Sequence, residues 1–126
     1  MKGFTLIELL VVVTLLSILA TIGIPIYRGY IDSTNVSLVQ NNLRSIYLQE
    51  QDYFVNNNGY YSTGATCTDS AAVINTNLYN GVQVLDNGNG FIYCITQTAS
   101  SNFTAQADEI NGTRLYTITN LNVANF

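Results

Sequence analysis

From Phe4 to Ile26 the chain is apolar, interrupted by Thr5, Glu8, Thr14, Ser17, Thr21, Gly23 and Pro25. A helix over that run reaches ~34 Å at about 1.5 Å per residue, enough to cross a hydrocarbon core of about 30 Å. Beyond it, Val36, Val39, Leu43, Ile46 or Tyr47, and Phe54 return at helical spacing. The pattern predicts one continuous, curved helix from about Phe4 to Phe54. Its first half is apolar all round and needs lipid or other subunits on every side. Its second half carries a single apolar stripe that one face of a folded domain can bury. Gly23, Pro25 and Gly29 mark a bend after the apolar run, because Pro25 removes a helix hydrogen bond and crowds the preceding turn.

The stretch NNNGYYS ends the helix, with Gly59 suited to a left-handed residue. Residues 63–80 read as a turn-rich connection with one short helical turn at Ser70–Ile74. Four short runs follow, Gly81–Leu85, Phe91–Thr98, Asn102–Ile110 and Arg114–Leu121. DNGNG, ASSN and Asn111-Gly112 separate them with turn chemistry. An antiparallel meander packed on the helix stripe is the simplest arrangement. The fold class is therefore α+β, a ladle in which the second half of the long helix lies on a small antiparallel sheet.

Composition narrows the function. The chain has 126 residues, room for one domain plus a membrane segment. Its mean hydropathy of +0.20 hides an uneven distribution, for beyond Tyr30 the residues are polar but seldom charged. The net charge is −4, and Lys2, Arg28, Arg44 and Arg114 are the whole cationic supply, without a cluster. That argues against nucleic acid as a partner. With no histidine and two cysteines, zinc chemistry and general acid–base catalysis have little to work with. No enzyme and no cofactor are expected. The single acid in DNGNG, Asp86, makes that stretch a hairpin turn before a calcium site. Asn35-Val-Ser, Asn102-Phe-Thr and Asn111-Gly-Thr match the glycosylation triplet as chance allows in an Asn- and Thr-rich chain. In an exported chain the pair Cys67 and Cys94 reads first as one disulfide, with two buried thiols as the alternative.

Glu8 is the one acid in the apolar run, where an ionised carboxylate costs on the order of 3 kcal/mol near a bilayer centre. A secretory signal peptide does not fit: the run is too long and no small-residue cleavage site follows. A plain anchor fits the length and puts Lys2 on the cytoplasmic side, but leaves Glu8 without a purpose. The segment KGFTLIELLVVVTLLSILATIGIPIY resembles the N-terminus of type IV pilins and of the related type II secretion pseudopilins. Gly3-Phe4, Thr5, Leu6, Glu8, the apolar run and Pro25 carry the resemblance, which continues more loosely through NNLRSIYLQEQDYFVNNNGYYS. Ser17 departs from it, standing where many pilins have a glycine.

The resemblance implies that a prepilin peptidase cuts between Gly3 and Phe4 and methylates the Phe4 nitrogen. Residues 1–3 are then a leader, 4–26 a transmembrane and polymerisation helix, and 27–126 a globular head. It implies further that the α-ammonium of Phe4 meets the Glu8 carboxylate of a neighbouring subunit. The helix would break or melt around Gly23 and Pro25 in the polymer. The expected product is a structural subunit of a type IV pilus, a helical homo-oligomer for adhesion, motility or attachment. It would be held in the inner membrane with its N-terminus cytoplasmic, delivered to an assembly platform, and extracellular once polymerised. A pseudopilin, a minor or competence pilin, and a non-polymerising membrane protein with a binding domain are the alternatives.

Overall fold

The computed structural model describes residues 2–126; Met1, the first residue of the expected leader, lies outside the described residues. Helix α1 runs from Leu6 to Asn57 without interruption, carrying Pro25 inside it. It is followed by α2 (Ala71–Leu78) and three strands, β1 (Phe91–Thr96), β2 (Thr104–Glu109) and β3 (Leu115–Thr119). Two compact units emerge, Met1–Thr34 and Asn35–Phe126. The first is the apolar part of α1, described below with the site. The second contains the core.

The sheet is an antiparallel meander in the order β1-β2-β3. Its register sets Tyr93 opposite Ala107 and Tyr116, and Ile95 opposite Ala105 and Ile118. The central strand thus buries only two alanines, both without exposed surface. Small residues there leave depth for Val39, Leu43 and Ile46 of α1, which join the same buried cluster with Phe91, Phe103 and Leu85. Polar tethers fix the packing. Asn42 of α1 donates to the Tyr93 hydroxyl at 3.0 Å, and the Tyr79 hydroxyl donates to Ser45 at 2.9 Å. On the opposite face of β1, buried Cys94 is bonded to Cys67, fastening the connection that precedes α2 to the sheet.

Three local expectations are corrected. The helix ends two residues before Gly59, and it is Asn58 that takes the left-handed conformation, at φ 55°. Its N–H caps the Phe54 carbonyl at 2.8 Å. Asparagine tolerates this region better than most L-residues. The short turn expected at 70–74 is a full two-turn helix that buries Ala71, Ile74, Asn75 and Leu78, one stripe at i, i+3, i+4 and i+7.

The third correction is Gly81–Leu85, which is not a strand. The backbone of its last two residues is claimed by one side chain. Asn75, 1% exposed, accepts from Val84 N at 3.2 Å and Leu85 N at 2.9 Å, and donates to Leu85 O at 2.8 Å. Those amides and that carbonyl are the groups a strand would use for its ladder. Replacing Asn75 by Ala removes all three bonds and leaves the N–H and carbonyl of buried Leu85 without these partners, at about 1–3 kcal/mol per unsatisfied group. A loss of at least ~2 kcal/mol of unfolding free energy is expected in urea titration. Gln83→Ala, which removes a weaker contact to Asn75 at 3.3 Å, is expected to cost far less.

Candidate functional site

Lys2 to Thr5 lie outside the helix and are exposed, so the Gly3–Phe4 peptide bond sits in open chain just before α1. Phe4 is 93% exposed. The Thr5 carbonyl accepts the first helical bond, from Leu9 N at 3.2 Å, which makes Thr5 the capping residue. Glu8, three residues on, turns back onto it. Its Oε2 accepts from Thr5 N at 2.8 Å and from the Thr5 hydroxyl at 2.9 Å, while Glu8 N donates to Thr5 Oγ1 at 3.3 Å. This is a capping box, in which threonine and glutamate each satisfy the other's free amide. Both carboxylate contacts use Oε2. Oε1 has no partner among the described residues.

The rest of the segment leaves little polarity unspent. Thr14 donates to Leu10 O at 2.7 Å, Ser17 to Val13 O at 2.8 Å and Thr21 to Ile18 O at 2.7 Å. Each hydroxyl is folded onto its own helix, as an apolar surrounding requires. Around them, Leu6, Ile7 and the leucine, isoleucine and valine residues through Ile26 are all exposed. An 18-residue window of α1 has a mean hydropathy of 2.6, and none of it is buried within this chain. By length and composition it can cross a membrane. Gly23 and Pro25 lie within the continuous helix, and a methyl group on Gly23 would meet nothing within 4 Å.

The predicted site residues thus fall in three groups, of which Gly23 and Pro25, inside the continuous helix, are one. Gly3, Phe4 and Glu8 converge on the helix start, and Cys67 and Cys94 form the bond that ties down the head. Reading the sequence for membrane character passed over the Thr5-x-x-Glu8 spacing, which is itself a helix-start signal. It also passed over Glu50, which has no exposed surface. The signal was periodicity: Val39, Leu43, Ile46 and Glu50 follow one stripe. Among the described residues, no three His, Cys, Asp or Glu side chains converge to hold a metal. Asp86 caps Gly88 N within its turn.

Comparison with known proteins adds the following. The family model for the prokaryotic N-terminal methylation motif matches residues 1–24. A fimbrial protein, EcpC of Eikenella corrodens, is 31% identical over 115 residues, covering 90% of this chain and 71% of that protein. The type IV major fimbrial protein FimA of Dichelobacter nodosus is 58% identical over 38 residues, 30% of this chain and 24% of its own length. The type IV major alpha-pilin of Moraxella bovis is 45% identical over 42 residues, 33% of this chain and 26% of its own. The chain therefore aligns with only about a quarter of the length of the last two.

Proposed function

This chain belongs to the type IV pilin family, and on that premise we propose that it is the structural subunit of a surface pilus. The subunit polymerises through the segment from Phe4 to Ile26. The observation that carries this reading is the helix start: a fully exposed apolar segment, Phe4 to Ile26, whose one acid, Glu8, keeps Oε1 unspent beside an exposed Gly3–Phe4 bond. Cleavage of that bond creates an α-ammonium on Phe4. In a bundle of such helices the ammonium of one subunit meets the Glu8 carboxylate of the next.

Physical chemistry assigns the two parts different roles. Removing the apolar side chains from water, first into lipid and then into the bundle, holds the segment in place. Inside the bundle close packing replaces lipid contact. The Phe4–Glu8 pair fixes register, since a buried ion pair offsets its own desolvation only when the geometry is close. A subunit displaced along the bundle leaves both charges unpaired in an apolar medium. Before assembly the helix anchors the subunit in the inner membrane with Lys2 on the cytoplasmic side. A prepilin peptidase and an assembly platform are the partners this requires. Gly23 and Pro25 are the positions where α1 can extend in the polymer, Pro25 because its nitrogen donates no helix bond.

A pilus is favoured over a secretion pseudopilus because the relative aligned with nine-tenths of this chain is a fimbrial protein. Intact-mass analysis of protein sheared from cells tests the processing step. The expected mass is that of a chain beginning at methylated Phe4, with Met1-Lys2-Gly3 absent. Assembled protein that retains Met1 would rule out this reading.

A further inference from the structure

The stripe that α1 buries does not end on an apolar residue. Glu50 is the one buried acid among the described residues, with no exposed surface. Its Oε2 accepts a single hydrogen bond, from Tyr61 N at 2.9 Å, and its Oε1 is buried without a partner. A carboxylate taken from water needs a counter-charge or several donors, and otherwise it takes up a proton. Burial pushes the Glu50 carboxyl up to about 7, and only the Tyr61 N–H works against that.

Among the described residues no cation contacts it. Tyr61 stands beside it with Tyr53 edge-on at 5.7 Å, and the Tyr61 hydroxyl accepts from Asn77 of α2 at 3.1 Å. Near Glu50 α1 contributes Tyr47, Asp52 and Tyr53; α2 has no ionisable residue. β1 meets the segment that Glu50 bonds at Ile95 and Thr96, neither of them ionisable.

What Glu50 holds is the segment 60–64, and that segment covers the outer edge of β1. Thr63 N donates to Ile95 O at 2.8 Å, Ile95 N donates to Thr63 Oγ1 at 3.0 Å, and Gly64 bridges to Thr96. Tyr60 N reaches Ser100 O at 3.0 Å. Uncovered, this edge would present free strand groups to other chains.

We propose that Glu50 is a proton-operated latch: as a neutral carboxyl it stays buried and seats 60–64 on β1, and as a carboxylate it draws in water and releases that segment. The direction follows from linkage. Between pH 4.5 and about 7 the folded chain holds the Glu50 proton that the unfolded chain has lost. The seating is therefore strongest below pH 4.5, weakens across that window and is lost above about pH 7. The proposal concerns the head alone and stands whether or not the chain polymerises.

The test uses the full chain in detergent micelles, as wild type and as Glu50→Gln. Amide exchange is measured at about pH 5.5 and about pH 8.5 and corrected for intrinsic rates. In the wild type, protection at Tyr61 and Thr63 is expected to fall roughly tenfold or more at the higher pH, while Ala105 and Ala107 of β2 hold theirs. In Glu50→Gln the protection at Tyr61 is expected to be independent of pH. Unchanged wild-type protection, an equal loss in β2, or the same loss in Glu50→Gln would each overturn the latch. Should the variant not fold, carbon-13 titration of the wild-type Glu50 carboxyl decides: a midpoint near 7 supports the latch, and one near 4.5 overturns it.

Discussion

Glu8→Gln, expressed as the only copy of the chain, is expected to leave a normal membrane pool and abolish sheared filaments. The observed cap and the proposed counter-charge are separable roles of Glu8, which makes this substitution informative. Glutamine serves at the third helical position of a capping box as glutamate does, so the bonds from Thr5 N and Thr5 Oγ1 have an acceptor in the variant. Insertion should be unchanged or improved, because a neutral amide costs less in lipid than a carboxylate. The loss falls on the polymer, where the Phe4 ammonium would be buried without its counter-charge. Breaking one side of a buried pair costs about 3–5 kcal/mol, and every subunit bears it. Thr5→Ala is the complementary variant. It removes the cap at a cost of about 1 kcal/mol but keeps the charge, so filaments should form at reduced yield. If Glu8→Gln and Thr5→Ala behave alike, Glu8 acts only as a helix cap.

The second large effect concerns the bond between Cys67 and Cys94. It closes a sequence separation of 27 residues that contains all of α2 and the 81–85 run held by Asn75. Constraining the unfolded chain over that length stabilises the fold by roughly 3–4 kcal/mol in the loop-entropy view. Cys94 is fully buried with its sulfur 3.7 Å from Gln106 Oε1, so a serine hydroxyl there has an acceptor and the substitution removes chiefly the bond. The double variant Cys67→Ser/Cys94→Ser is expected to lose about 3–4 kcal/mol in denaturant titration. The wild type under reduction should match it, and filament yield should fall while the membrane pool persists. Two alkylatable thiols in the native protein would contradict the bond itself.

The long helix and the three strands were legible because period and burial coincide there. Val39, Leu43 and Ile46 repeat at helical spacing, and Phe91, Tyr93 and Ile95 alternate, so local pattern and tertiary role agree. Gly81–Leu85 misled for the opposite reason. Val82, Val84 and Leu85 have the composition of a strand, yet Val84 N and Leu85 N donate to Asn75, a side chain that no local pattern reveals, and Val82 N turns back to Tyr79 O. At the end of α1, Asn58 and Gly59 can both adopt positive φ, and sequence preference alone pointed to the glycine. The candidate site was legible in its residues but not in its full chemistry. Glu8 stood out as a charge placed against hydropathy, and Gly3 and Phe4 through the resemblance of the segment to pilin N-termini. The Thr5-x-x-Glu8 spacing signals a helix start, and the bonds that close it are seen in the fold. Glu50 was hidden because an acid on a stripe is ordinarily read as a break in it.

Helical reconstruction of sheared filaments by electron microscopy tests the central claim most directly. The account predicts a polymer of this chain beginning at Phe4, with the segments from Phe4 to Ile26 bundled in its interior. The nitrogen of each Phe4 should lie in salt-bridge contact with Glu8 of a neighbouring subunit. Filaments that lack this chain, or a bundle in which Glu8 contacts only its own Thr5, would contradict it.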